Sequence, residues 1–93
     1  MHVVKINFVY LTERELDIVS CIINGRSAKF IASILNISIN TVNYHMKNIM
    51  RKLNCHTRDQ LIDFFESSEQ YALIDKKYLQ LTFHHNRRSI LFE

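Results

Sequence analysis

The chain has 93 residues, of which 12 are lysine or arginine and nine are aspartate or glutamate, with one glycine and no proline. This length suits one small domain with one modest core, and an apolar content of 47% argues against a disordered chain. The scarcity of glycine and proline argues against a β-sandwich or β-barrel, and the mild net charge of +3 excludes a uniformly polybasic or polyacidic protein.

Residues 2–10 are rich in β-branched and aromatic side chains, which predicts a short strand or an extended arm. Thr12 and Glu15 then form a capping-box pattern, because a threonine is followed by a glutamate three residues later. This pattern predicts a first helix over residues 13–24. Gly25 follows where a left-handed residue commonly ends a helix.

Two further helices follow, with the spacing of a helix-turn-helix. Ser27 predicts the start of a short second helix, and Ser38 predicts the start of a longer third helix after a connection of about three residues. Asn54 is the non-glycine residue type that best tolerates the left-handed conformation, so it is expected to end the third helix.

The third helix has two chemically different faces. Its apolar face repeats at spacings of four, three and four residues, through Val42, Met46, Ile49 and Leu53. Its polar face has no acid and consists of Asn43, Tyr44, Lys47, Asn48 and Arg51. Amide and basic side chains suit a helix that lies in the major groove of DNA. The alternative, from this helix alone, is a cationic amphipathic helix without a ligand.

The charges are also segregated along the chain. Residues 18–58 contain six lysine or arginine residues and no aspartate or glutamate, whereas all nine acids lie before or after them. A basic segment between acidic ends predicts a polyanionic partner, and nucleic acid is the usual one.

A fourth helix is predicted from Thr57, which forms a second capping-box pattern with Gln60. This short helix is apolar over much of its length, so it either lies centrally in the core or meets another subunit. In residues 67–93, Leu79, Leu81 and Phe83 alternate with polar residues, residues 85–88 interrupt this pattern, and an apolar run over residues 90–92 follows. We favour a β-hairpin closed near Asn86, to which the N-terminal arm could add a third strand, and a continuous helix over residues 69–83 is the alternative.

Residues 11–62 resemble the LuxR/FixJ/NarL type of helix-turn-helix, which is the GerE-like DNA-binding domain of bacterial transcription regulators. The matching residues fall in register without a gap and are Leu11, Thr12, Glu13, Arg14, Glu15, Gly25, Ser27, Lys29, Ile31, Ala32, Leu35, Ile37, Ser38, Thr41, Val42, His45, Ile49, Lys52, Leu53 and Leu61. The resemblance implies a mainly α, four-helix domain over residues 11–66. Residues 1–10 would form an N-terminal arm and residues 67–93 a C-terminal extension.

The resemblance also implies the roles of individual residues. Base contacts are expected from Asn43, Tyr44 and Lys47. Contacts to the DNA backbone are expected from Ser27, Lys29, Ser38, Thr41, His45, Arg51 and Lys52. The fourth helix is the usual dimerisation surface in this family, which here indicates Ile62 and Phe65, and binding is to paired half-sites.

The chain departs from the family pattern at three places. Phe30 occupies a position that usually carries glutamate, so we infer that something covers its ring, such as one of the chain's own arms. Asn54 replaces the usual glycine and still permits the helix to end. Because Met1 lies ten residues before Leu11, we expect a stand-alone or excised effector without a sensor domain.

We therefore predict a stand-alone bacterial transcription regulator that binds double-stranded DNA as a homodimer. The alternative is a protein-binding regulator that pairs with another transcription factor through its arms. An enzyme is not expected, because neither Cys55-His56 nor His84-His85 has the pattern of a catalytic or metal site. We expect no cofactor. The protein is expected in the cytoplasm and off the membrane, since it shows no membrane-spanning run, no secretion leader and no disulfide framework.

Overall fold

A computed structural model describes residues 3–6 and 9–92 of the chain, without the side chains of Val4 and residues 86–92. Two short strands precede five helices, so the mainly α fold expected from the sequence is confirmed. The elements are β1 (Val3–Ile6), β2 (Val9–Thr12), α1 (Glu13–Ile23), α2 (Ala28–Leu35), α3 (Ile39–Leu53), α4 (Arg58–Glu66) and α5 (Tyr71–Phe92). None of these helices combines the length and the apolar character that crossing a bilayer requires.

The N-terminal arm forms an antiparallel hairpin in which Val3 pairs with Thr12 and Ile6 pairs with Val9. The expected strand is therefore present as two strands, and residues 1, 2, 7 and 8 of the arm lie outside the described part. The second strand leads directly into α1 through Thr12. The side chain of Ile6 is fully buried, so the hairpin contributes to the hydrophobic core.

Local hydrogen bonds fix the starts of the first four helices. Thr12 Oγ1 accepts from the Glu15 amide at 3.1 Å and the Thr12 amide donates to Glu15 Oε1 at 2.8 Å, which confirms the predicted capping box. The side chains of Ser27, Ser38 and Thr57 likewise accept from the backbone amide three residues later. Such caps each stabilise a helix by about 1 kcal/mol.

The ends of the same helices use left-handed residues. Asn54 has a φ of 53° at the end of α3, as predicted, and Asn36 has a φ of 56° at the end of α2. Gly25 has a φ of 74° just after α1, which confirms the predicted helix end. In this conformation a side chain costs roughly 1 kcal/mol, so glycine and asparagine are the favoured residues.

Helix α1 occupies the centre of the core, because α3, α4, α5 and β2 all pack against it. The fully buried aliphatic and aromatic side chains of this core include Leu11, Ile18, Val19, Ile22, Ile31, Val42, Ile49, Leu61 and Phe65. Each such side chain contributes about 1.5–3 kcal/mol relative to an exposed one. The core therefore fixes the inner face of α3 and leaves its outer face in solvent.

The predicted C-terminal hairpin is wrong, because residues 71–92 form the single helix α5. A tight hairpin turn favours glycine beside an asparagine, and residues 71–92 contain Asn86 but no glycine. Helical spacing instead places Ile74, Tyr78 and Leu81 together against the core. The residues whose alternation suggested strands lie on different faces of the helix, because Leu81 is partly buried whereas Leu79 and Phe83 are exposed.

Polar contacts attach α5 to α1 and to the residue that caps the C-terminal end of α1. Lys77 Nζ lies 2.9 Å from Glu13 Oε2 and 3.2 Å from Asp17 Oδ1. Asn24 Nδ2 donates to Asp75 Oδ1 at 2.9 Å. Helix α5 therefore packs on the helix-turn-helix core, and the division into an arm, a domain and an extension stays a prediction.

Candidate nucleic-acid interface

The outer face of α3 is built by the helix's own capping and packing. Ser38 Oγ accepts from the Thr41 amide at 3.0 Å and lies 2.8 Å from Thr41 Oγ1, which fixes the first turn. Val42 and Ile49 are fully buried and anchor the inner face. The side chains on the opposite side of the helix from these two residues must then point outwards into solvent.

The three predicted base-contacting residues are all exposed on that outer face. Asn43 and Lys47 are one helical turn apart, and Tyr44 has an exposed fraction of 63%. The Tyr44 ring meets the His45 ring edge to face, with centroids 5.7 Å apart. The sequence therefore placed these side chains correctly on the helix, and their contacts with DNA stay a prediction.

The start of α2 presents a second group of predicted contacts. Ser27 Oγ accepts from the Phe30 amide at 3.1 Å, and Lys29 extends into solvent in the first turn. A hydroxyl that accepts one bond can still donate its own proton, so Ser27 remains able to bond a phosphate oxygen. Free amides at a helix start also favour an anion.

Residues of α3 and the first turn of α1 line a cleft of about 700 Å³. Its α3 wall is formed by Tyr44, His45, Asn48, Arg51 and Lys52, and its other wall by Thr12, Glu13, Arg14, Glu15 and Asp17. Acids that precede the basic segment in the sequence therefore face the cations of α3 across this cleft. Charge segregation along the chain does not persist fully in space.

Two predicted backbone contacts in this cleft already have partners in the chain. Lys52 Nζ lies 2.6 Å from Glu15 Oε1, and Arg51 donates a hydrogen bond to Asn48 Oδ1. Burial alone would raise the pKa of Glu15, but the hydrogen bonds from Lys52 and Thr12 and the charge of Lys52 hold this pKa below its ordinary value of 4.5. An ammonium group has three donors, so Lys52 keeps two for other partners.

The two residues assigned to dimerisation differ in accessibility. Phe65 is fully buried in the chain's own core, where its ring packs edge to face on Phe64 with centroids 5.1 Å apart. Ile62 is only partly buried, so it can meet a second chain. The structure therefore leaves Ile62 as the accessible member of this pair, and dimerisation through α4 stays a prediction.

Two accessible side chains next to these groups were missed by the sequence reasoning. Ile39, the first residue of α3, has an exposed fraction of 45%, and Arg26 is exposed immediately before the Ser27 cap. The Arg26 guanidinium lies 4.2 Å from the centre of the Phe30 ring, so Arg26 forms the cover that the sequence required for Phe30. The available signal was an arginine beside a helix cap within the acid-free segment.

Comparisons with known proteins show what this chain is similar to. The family described as "Bacterial regulatory proteins, luxR family" (GerE) matches residues 9–65. The nitrate/nitrite response regulator protein NarP of Escherichia coli is 53% identical over 51 residues, which cover 55% of this chain and 24% of that protein. A nitrate/nitrite response regulator protein homolog of Haemophilus influenzae is 44% identical over 59 residues, or 62% of this chain and 28% of that protein.

A further relative is the transcriptional activator protein PhzR of Pseudomonas fluorescens, which is 34% identical over 56 residues, or 60% of this chain and 23% of that protein. The matched region thus spans between 23% and 28% of the length of these three relatives. No solved structure matches the chain with statistical significance.

Proposed function

Because the chain belongs to the luxR family of bacterial regulatory proteins, we propose that it regulates transcription by binding double-stranded promoter DNA sequence-specifically through α3. The observation that carries this proposal is the outer face of α3, where Asn43, Tyr44 and Lys47 are exposed without an acid among them. In the proposed complex α3 lies in the major groove and α2 crosses the DNA backbone.

Each of the three base-contacting residues has a distinct chemical role in the proposal. The Asn43 amide suits the N6 and N7 edge of adenine, and the Lys47 ammonium suits guanine or a phosphate. Tyr44 supplies a ring and a hydroxyl donor for a base edge or the backbone. A good bidentate contact of this kind discriminates against a wrong base by about 1–3 kcal/mol.

Phosphate contacts would orient α3 in the groove without reading the sequence. We assign them to the starts of α2 and α3 and to the C-terminal half of α3. The residues are Ser27, Lys29, Ser38, Thr41, His45, Arg51 and Lys52. Because cations that neutralise phosphates release counterions, the affinity should fall steeply as salt rises.

We further propose that two chains bind together, with α4 and the partly exposed Ile62 in the contact between them. A homodimer would place two copies of α3 in successive major grooves about 34–36 Å apart, so the DNA site would be two-fold symmetric. The observation that supports α4 is that Ile62 stays partly exposed while Leu61 and Phe65 hold this helix in the core.

The test is selection of bound duplexes from a random pool at 50 mM and 200 mM salt, with the binding stoichiometry measured alongside. We expect a two-fold symmetric sequence to be enriched, with an affinity that is lost as salt rises. Lys47→Gln should weaken binding and flatten its salt dependence, whereas Lys76→Gln, on the exposed side of α5, should leave both unchanged. Equal behaviour of the two variants would contradict the assignment of α3 to the groove.

A second candidate function is the binding of another regulatory protein. The observation that favours it is on α5, where Leu79 and Phe83 each have an exposed fraction of 61% and lie one helical turn apart. If the chain binds no duplex at either salt concentration, DNA binding is excluded and this candidate becomes the better one. Salt-sensitive binding without an enriched sequence would instead indicate non-specific coating of DNA.

A further inference from the structure

Arg26 is held in place at the start of α2 by residues from three different elements. Its guanidinium carbon lies 4.2 Å from the centre of the Phe30 ring in α2. Its Nε donates to the Tyr78 hydroxyl of α5 at 2.7 Å. Its carbonyl oxygen accepts from Arg58 Nη2 of α4 at 2.6 Å. Both the backbone and the side chain of this exposed residue are therefore fixed.

These partners order the Arg26 guanidinium without neutralising its charge. Within the part of the chain that the structure describes, no carboxylate lies within 4.0 Å of Arg26. The partners of the guanidinium are the uncharged Phe30 ring and Tyr78 hydroxyl, rather than the carboxylate of an aspartate or glutamate. Only Nε is used by the Tyr78 contact, so the two Nη groups keep their N–H donors for a ligand.

The surroundings of Arg26 indicate the chemistry of that ligand. Arg26 directly precedes Ser27, and Lys29 lies one turn further on in the same exposed region. A planar guanidinium with free Nη groups matches the geometry of a phosphate, which it binds through two parallel hydrogen bonds. The two neighbours are among the residues that we assign to the DNA backbone.

We propose that Arg26 binds a DNA phosphate beside the start of α2, and that Phe30 and Tyr78 are positioning residues that hold its guanidinium there. This inference rests on the proposed function. A long side chain that is ordered before binding loses less conformational entropy when it meets the phosphate. Through Tyr78, α5 thus contributes to DNA affinity although it need not touch DNA.

The alternative is that Arg26 only shields the Phe30 ring from water. The two explanations differ in the salt dependence of DNA binding, because a shielding arginine neutralises no phosphate. For each phosphate contact that is removed, the slope of log affinity against log salt changes by about 0.9. A purely structural role would alter stability and leave this slope as it is.

The first experiment compares the wild-type chain with Arg26→Gln on the enriched duplex at 50 mM and 200 mM salt. Wild type should bind more tightly than the variant at 50 mM salt, and this advantage should shrink as the salt concentration rises fourfold to 200 mM. The advantage should shrink by about 3.5-fold if one Arg26 contacts a phosphate, and by about 12-fold if two chains bind and both make the contact. Arg26→Lys should restore most of the slope. Lys76→Gln makes the same charge change on the exposed side of α5 and should keep the wild-type slope.

The second experiment tests the positioning role with Tyr78→Phe, which removes only the hydroxyl that accepts from Arg26 Nε. We expect the affinity for both specific and random duplexes to fall by about 2–5-fold, with the salt slope retained, because the phosphate contact is still made by a less ordered side chain. The thermal midpoint measured alongside shows whether the variant remains folded.

The outcomes separate this inference from the proposed function. If the wild-type chain binds the duplex and Arg26→Gln has the wild-type slope, the Arg26 contact is excluded while DNA binding stands. If Arg26→Gln changes the slope but Tyr78→Phe binds as tightly as wild type, the positioning role of α5 is excluded. If the wild-type chain binds no duplex at either salt concentration, the proposed function itself falls and this inference falls with it.

Discussion

Replacing Glu15 by glutamine should destabilise the fold by removing a charge that links α1 to α3. Glu15 has an exposed fraction of only 4%, and its Oε1 accepts from the Thr12 amide at 2.8 Å and from Lys52 Nζ at 2.6 Å. Glutamine keeps the shape and the acceptor for Thr12, so the variant isolates the ionic contact with Lys52. This contact joins residues that are 37 positions apart.

The expected magnitude follows from the exposure of the two partners. A hydrogen bond to a charged group contributes about 1.5–3 kcal/mol when it is sheltered. The Lys52 side chain is 38% exposed, and water recovers part of the lost contact, so we expect a loss of about 1–2 kcal/mol. For a chain of this size, each 1 kcal/mol lowers the thermal midpoint by about 4–8 °C.

The assay is urea unfolding followed by far-UV circular dichroism, with Glu15→Gln, Lys52→Gln and the double variant. The coupling energy between the two substitutions should reach about 1 kcal/mol if they share one interaction. Glu66→Gln, which changes an exposed acid of α4, serves as the control and should stay within about 0.5 kcal/mol of wild type. A Glu15→Gln loss no larger than that of the control would refute the reasoning.

The pH dependence gives an independent check on the same interaction. Because the pKa of Glu15 is lower in the folded chain than its ordinary value of 4.5, the contribution is fully present above pH 4.5. It is then lost as the pH falls through the lower folded value. Wild type should therefore lose more stability than Glu15→Gln between pH 6 and pH 3, and parallel curves would contradict a lowered pKa of Glu15 in the folded chain.

Two further predictions concern α5 and the buried thiol. Lys77→Gln should lower the free energy of unfolding by about 1 kcal/mol, because Glu13 and Asp17 lose their common partner on α5, and urea unfolding measures this. Burial raises the pKa of Cys21 to about 11, so at pH 8 its alkylation should be at least about 100-fold slower in the folded chain than in denaturant. A thiol titration that consumes Cys21 at the same rate with and without denaturant would show that α1 opens freely.

The helix caps and the exposed face of α3 were predictable from the sequence, because both depend on residues that are three or four positions apart. Thr12 and Glu15 bond each other across one helical turn, and Ser38 bonds Thr41 in the same way. The outer face of α3 follows from the same periodicity. When Val42 and Ile49 are buried, Asn43 and Lys47, which are one helical turn apart, must point outwards. These features needed no knowledge of the tertiary structure.

The tail was mispredicted because its apolar residues fit two periods. Leu79, Leu81 and Phe83 alternate as in a strand, while Ile74, Tyr78 and Leu81 recur as in a helix. The lack of glycine beside Asn86 disfavours a tight turn, and the packing of Ile74 against the core, at an exposed fraction of 2%, selects the helical period. That packing depends on contacts with elements more than 50 residues earlier, which a local pattern does not encode.

Long-range polar contacts also decide how many uncompensated positive charges remain available for DNA. Of the cations in residues 18–58, Lys52 is paired with Glu15 and Arg58 donates to the Arg26 carbonyl. Within the described residues, Lys29 and Lys47 have no carboxylate within 4.0 Å, and neither does Arg26. Among the described residues, Arg51 and Arg58 have none either, so the uncompensated charge lies around the starts of α2 and α4 and along α3 as far as Arg51, whereas Lys52 is compensated by Glu15.

The salt slope of the wild-type chain shows which of these cations contact phosphates. If each chain of a dimer neutralises phosphates through Arg26, Lys29 and Lys47 alone, log affinity should fall with log salt at a slope of about −5.4. If Arg51 and Lys52 also make phosphate contacts, the slope should approach about −9. The second value requires Lys52 to bind a phosphate while it is paired with Glu15 at 2.6 Å, so Glu15→Gln would then raise the affinity. If the first value is measured, the ion pair of Glu15 and Lys52 serves only to hold α1 and α3 together. Glu15→Gln should then lower the stability without changing the slope.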